Sequence, residues 1–206
     1  MTYIDNESGV QERQKALYSG WDFGCECTLC EIETAESQEI QSKRQGLVEK
    51  ALKFKVYLNQ SVQKTNSGIT PMITLIKGIE ATYSMPEFIH PRVRLLSPTN
   101  ILQTFLVRAQ RPPDVFLLAK QALNGLGFKI TTEGGKVVIE RYGYMFYPVM
   151  NLFVHVITAG AMMGDLWTAT LWRNAVLKVY EVLAGEKESF FDVFGRALLQ
   201  AGVPFD

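Results

Sequence analysis

The chain is 206 residues long, 47% hydrophobic and 20% charged, with 21 lysines and arginines balanced by 21 aspartates and glutamates. That length and composition allow one sizeable core with an appendage and exclude an intrinsically disordered chain. A formal net charge of zero leaves no overall field to recruit nucleic acid or an anionic membrane. No charged leader followed by an apolar stretch opens the sequence, so a cytosolic or nuclear compartment is expected.

In chain order, Glu12 to Tyr18 reads as a short helix ended by Ser19-Gly20. The run Gly20-Trp21-Asp22-Phe23-Gly24-Cys25-Glu26-Cys27-Thr28-Leu29-Cys30 then places all three cysteines within six positions. Bridges inside C-x-C-x-x-C would strain the backbone, so reduced thiols are expected. A thiolate cluster this dense suits a metal ion better than a core, although free cysteine also packs as a small apolar residue. A closed structural zinc site takes four ligands, and Cys25, Cys27 and Cys30 supply three.

From about Thr34 a polar-then-apolar helix is expected to run to Asn59. Charge is uneven locally: Glu26, Glu31, Glu33, Glu36 and Glu39 precede Lys43, Arg44, Lys50, Lys53 and Lys55, an order that on one helix would complement the macrodipole. The basic half, with Phe54 and Tyr57 interleaved, is either a nucleic-acid or acidic-tail patch or a solvated helix face; the solvated face is the expectation. Residues 60 to 70 read as loop. Ile69 to Tyr83 reads as a helix with Pro71 in its first turn, ended by Met85-Pro86. His90-Pro91-Arg92 and Ser97-Pro98 mark a connection, with Ser97 as N-cap and Pro98 at the first helical position. Two helices follow, Asn100 to Gln110 and Asp114 to Leu126, split by Arg111-Pro112-Pro113 and stopped by Gly125 and Gly127. A hairpin is expected from Lys129 to Thr132 and Lys136 to Arg141 across Glu133-Gly134-Gly135. Three helices complete the chain, about Met145 to Met162, Asp165 to Leu183 and Glu188 to Ala201. The fold class is mainly α, a tetratricopeptide-like or irregular right-handed helical array, although no 34-residue repeat is strict.

Tyr142 to Gly164 carries no lysine, arginine, aspartate or glutamate, a length that would span a bilayer. Pro148, Asn151, His155, Thr158 and three glycines interrupt it, and no basic cluster flanks it. A helix buried within the array is the expectation, and no membrane partner is expected. His155 reads as a core histidine with a backbone partner and His90 as a loop residue. Trp167, Leu171, Trp172 and Val176, then Phe190, Phe191 and Phe194, read as core. The sequence holds no phosphate loop, no G-x-S-x-G elbow and no H-E-x-x-H.

Thr2-Tyr3-Ile4-Asp5, Glu12-Arg13-Gln14, Leu17 and Trp21-x-Phe23-x-Cys25-x-Cys27-x-x-Cys30 resemble the end of a SET domain running into its post-SET zinc loop. The likeness is closest to the MYND-associated SET (SMYD-like) lysine methyltransferases and their tetratricopeptide-linked fungal relatives. It covers about thirty residues with a specific motif. Tyr83-Ser84-Met85-Pro86 through Pro91-Arg92, Leu95, Leu102 and Ala122-Leu123-Asn124-Gly125-Leu126-Gly127-Phe128 resembles, more weakly, the helical C-terminal region of the same proteins.

The resemblance implies that Tyr3 lines the lysine channel near the transferred methyl group, that Trp21 walls that channel, and that Phe23 packs against the adenine of S-adenosylmethionine. It implies that Cys25, Cys27 and Cys30 are zinc ligands. Aromatic walls suit an alkyl-ammonium, and a thiolate site stiffens a loop with little core of its own. The glycine motif for the cofactor and the Asn-His motif of the family are not among these residues, since no asparagine here precedes a histidine. The expectation is the C-terminal part of a SET-type methyltransferase, residues 1–33 ending the SET domain with the zinc motif and 34–206 forming a helical domain. Alone it should be inactive; S-adenosylmethionine would bind only with a complete SET core. Expected partners are a protein substrate or partner protein and a separate SET core. The competing reading is a non-catalytic helical interaction module with a weak or vestigial zinc site.

Overall fold

The structure, a computed structural model, describes residues 7–203. Its elements are α1 (Val10–Trp21), α2 (Thr28–Ala35), α3 (Gln38–Leu52), α4 (Val62–Glu80), α5 (Leu96–Arg108), α6 (Pro112–Gly125), β1 (Lys129–Glu133), β2 (Lys136–Arg141), α7 (Val149–Met162), α8 (Leu166–Ala184) and α9 (Phe190–Gln200). The fold is mainly α, as expected. Successive helices from α3 to α8 pack against one another, and α7 also meets α9.

The expected helix from Thr34 to Asn59 is instead three pieces. Glu36 and Ser37 are extended, and the Ser37 hydroxyl accepts from the Ile40 amide to start α3 afresh. A serine that satisfies an orphan donor outweighs the continuing polar periodicity. After Leu52 the chain tightens into a 3-10 helix over Lys53–Asn59. The expected loop at 60–70 is largely helix, because α4 begins at Val62 and carries Pro71 in its interior. Thr65, Gly68, Ile69 and Met72 fall on one buried stripe at helical spacing. That burial outweighs the one hydrogen bond Pro71 forfeits. Gly68 allows close approach: a Cβ there would meet the Phe105 ring at 2.8 Å.

α5 begins at Leu96, one turn before the expected start, after a 3-10 turn over Val93–Leu95. The Ser97 amide donates to the Glu7 carboxylate at 2.8 Å, so a distant glutamate does the capping expected of Ser97. The hairpin forms as expected, with Gly134 and Gly135 at φ of 54° and 70°, the sign a tight hairpin turn requires.

The core has two adjoining parts. One joins α3, α4 and α5 around Val48, Ile69, Met72 and Phe105. The other joins α6 to α9 around Leu123, Phe153, Trp172, Val176 and Phe190. The uncharged run supplies α7, whose Met150, Leu152, Phe153, Val156 and Ile157 are fully enclosed. Each such side chain contributes roughly 1.5–3 kcal/mol of burial, so α7 is the hub of this half. No helix among the described residues is long and apolar enough to cross a membrane. Trp167, expected in the core, is 69% exposed. The α8 stripe that packs is Ala169, Trp172, Val176, Val179 and Tyr180, and Trp167 lies well around the helix from it.

Candidate metal centre

α1 ends where Asp22 takes a left-handed conformation, φ 58° and ψ 37°, its amide bonded to the Tyr18 carbonyl. The chain then runs without regular secondary structure through residues 23–26 and enters α2 after Cys27, its extended N-cap. This turn-and-return brings the Cys25, Cys27 and Cys30 sulfurs within 4.8 Å of one another. Thiolates 2.3 Å from a shared tetrahedral ion stand about 3.8 Å apart, so small side-chain rotations complete the geometry. The donor set fits zinc, with three sulfurs converging and no fourth histidine, cysteine or carboxylate joining them among the described residues.

Each cysteine has its own support. The Gln14 side chain clamps the Cys25 backbone, donating to its carbonyl at 2.6 Å and accepting from its amide at 2.8 Å. Burial works against the Cys27 thiolate, but the amides of Cys30 and Leu29 and the neighbouring thiols hold it below the ordinary thiol range. Those amides belong to the first turn of α2, where the helix end favours negative charge. Cys30 is buried, and burial pushes it up to about 11 despite Arg13, whose guanidinium reaches its sulfur at 3.6 Å. Tyr144 faces the cluster from beyond the hairpin, raised to about 12 by burial and by Cys27.

Behind the cysteines lies a buried ionic array that sequence reasoning missed. Arg13 donates to Glu33 at 2.6 Å and to the Ser8 carbonyl at 2.6 Å. His90 Nε2 stands 3.9 Å from Glu33 Oε1, and its Nδ1 stands 3.7 Å from Glu36. Arg44 binds Glu36 through two parallel contacts of 2.7 and 2.6 Å, and Thr82 through its Nε. Tyr83 is sandwiched between charges, with Arg44 4.0 Å and Arg92 4.5 Å from its ring centre. Arg92 also pairs with Glu80 at 3.0 Å. Arg44, expected on a solvated face, is therefore buried, as is Glu33, and His90 is a loop residue only in its backbone: its side chain is 1% exposed. Burial opposes the Glu33 carboxylate, yet the His90 ring and Arg13 hold it below the usual range. The array ties the cysteine loop to α3 and to the segment after α4.

Of the expected channel and cofactor aromatics, Trp21 is the last residue of α1 and 50% exposed, and Phe23 is 42% exposed. Both lie beside the thiol cluster in sequence. Tyr3 lies outside the described residues. No hydrogen bond reaches the His155 ring among the described residues, and burial lowers its pKa to about 4.

No family profile matches the chain. It is similar to a protein of Gibberella zeae named methyltransferase, 25% identical over 198 residues that cover 91% of this chain and 26% of the relative. The chain thus spans about a quarter of the length of the curated relative it matches.

Proposed function

We propose that these residues are the C-terminal part of a SET-type methyltransferase that moves a methyl group from S-adenosylmethionine to a protein lysine. The observation that carries this reading is the convergence of Cys25, Cys27 and Cys30 within 4.8 Å, immediately after Trp21 and Phe23, in a chain similar to a portion of a methyltransferase. Zinc held by the three thiolates would fix the loop that presents both aromatics. Phe23 would cover the cofactor's adenine, Trp21 would wall the lysine channel, and Tyr3 would approach the reacting methyl group from before α1. The helical region would contact the protein substrate or a partner protein.

Half a pocket binds poorly, because enclosure of the ligand is what gives such sites affinity, and half a channel does not align amine and methyl donor. Zinc analysis and S-adenosylmethionine calorimetry test this on the chain alone and on a protein extended upstream to the length of its relative. Alone, it should hold one zinc with an exchangeable fourth ligand and bind no cofactor; extended, it should bind cofactor and methylate lysine. Absence of zinc, or robust methyl transfer by the 206 residues alone, would sink the proposal. A zinc-free chain whose extended form binds no cofactor would favour the non-catalytic interaction module.

A further inference from the structure

A cleft of about 310 Å³ opens between the start of α1 and the outer side of α3. Arg94 lines it while being only 5% exposed. One terminal nitrogen donates to the Gln45 side chain. The other stands 3.0 Å from where a Cβ on Gly9 would lie. Its Nε is buried with no hydrogen-bond partner. Arg13, Arg44 and Arg92 each hold a carboxylate within 3.0 Å, whereas Arg94 forms no ion pair among the described residues. An arginine stays charged, and an uncompensated buried charge is costly unless something arrives to pair with it.

Among the described residues three carboxylates line the cleft, and none forms an ion pair with Arg94. Glu12 accepts from the Gly9 amide at 3.2 Å, Glu33 from Arg13, and Glu49 from Gln45. The first turn of α1 lines the same cleft through Val10, Gln11 and Glu12, so the positive end of a twelve-residue helix stands beside the guanidinium. Burial also depresses the Arg94 pKa in spite of Tyr83, Glu33 and Glu12 nearby, as expected of a cation with too little negative charge around it.

We propose that this cleft binds a carboxylate of a peptide, a chain terminus or an acidic side chain, paired with Arg94. A planar, singly charged carboxylate matches the guanidinium fork. Glu12 and the exposed Glu49 on the walls disfavour a dianion such as phosphate more strongly than a monoanion. The volume accommodates the end of a peptide or one side chain.

The test follows the Arg94 Nε–Hε signal by nitrogen-15 NMR during titration of the full chain with acetate at constant ionic strength. N-acetylglycine then serves as the terminal-carboxylate arm, N-acetylaspartic acid α-amide as the side-chain arm, and N-acetylglycinamide as the uncharged control. The expected result is a saturable shift of Arg94 and of the Val10 to Glu12 amides, with millimolar affinity for the better arm. Glu49→Gln should tighten binding roughly two- to threefold by removing a repulsive charge. Arg94→Lys should weaken it about fivefold or more through loss of the fork. No saturable shift, shifts spread over other arginines, equal response to the uncharged control, tighter binding of inorganic phosphate, or no effect of Glu49→Gln would each overturn the proposal. The Glu49 variant carries the test if the Arg94 variant does not fold.

Discussion

Replacing Arg13 by Met removes a charge while keeping most of the aliphatic length that packs beneath it. In the native chain the Arg13 and Glu33 side chains are 2% and 4% exposed and 2.6 Å apart. After the change the nearest partner left to the Glu33 carboxylate among the described residues is the His90 ring at 3.9 Å, with Arg44 and Arg94 acting on it from farther off. Stranding one member of a buried pair costs about 3–5 kcal/mol. For a chain of this length each kcal/mol moves the melting temperature by roughly 2–4 °C, so a fall of about 6–20 °C is expected. Converting both residues, Arg13→Met with Glu33→Met, should cost less than the single change, because no charge is left stranded. The Glu33 pKa is lowered on folding, so its contribution is present above the unfolded value near 4.5 and lost as pH falls further. The gap between Arg13→Met and the parent should therefore narrow in acid. Urea and thermal unfolding followed by far-UV circular dichroism measure all of this. A single variant within about 1 kcal/mol of the parent at neutral pH, or a double variant worse than the single, would refute the reasoning.

Val154 is buried on α7, and Val154→Asp should lower stability by about 3 kcal/mol or more by burying an unpaired charge, while the parent purifies without detergent; recovery of the parent only in membranes would contradict the buried-helix reading. Burial lowers the His155 pKa to about 4, so between about pH 6.5 and 4 the unfolded chain takes up a proton that the folded chain refuses. Stability should fall by about 3 kcal/mol across that window, and His155→Gln should flatten the slope in urea titrations at stepped pH.

Much of the fold was legible because local chemistry decides it. Glu133-Gly134-Gly135 forces a tight turn, Asp165 caps α8 through the Thr168 amide, and the uncharged run at α7 had nowhere to go but the interior. The break at Glu36-Ser37 was hidden because a helical pattern continues on both sides of it. The three cysteines were legible from spacing alone. The ionic array behind them was not, since Arg13, Glu33, Arg44, Tyr83 and His90 come from four separate stretches. One signal was nevertheless available. Val10, Arg13 and Leu17 share a buried face, as do Leu29 and Glu33, and Arg44 and Val48. A charge recurring on an apolar stripe at helical spacing needs a buried partner, and opposite charges on three such stripes could be matched to one another.

The array also explains how a loop with few apolar contacts holds three thiols together without using a fourth position. Neighbouring residues of one helix, Arg13 and Gln14, address Cys30 and Cys25 at opposite ends of the motif. The first-turn amides of α2 address the middle thiol, Cys27. Arg13 is fixed in turn by Glu33, and the Glu33 carboxylate faces His90, beside the Arg44 and Glu36 pair that anchors α3. The cysteines are thus positioned from the protein side. Cys27, the exposed member, marks the side from which a further ligand can reach an ion held there. A site built in this way is supported from behind and open in front, the arrangement required if another part of a longer protein is to close it.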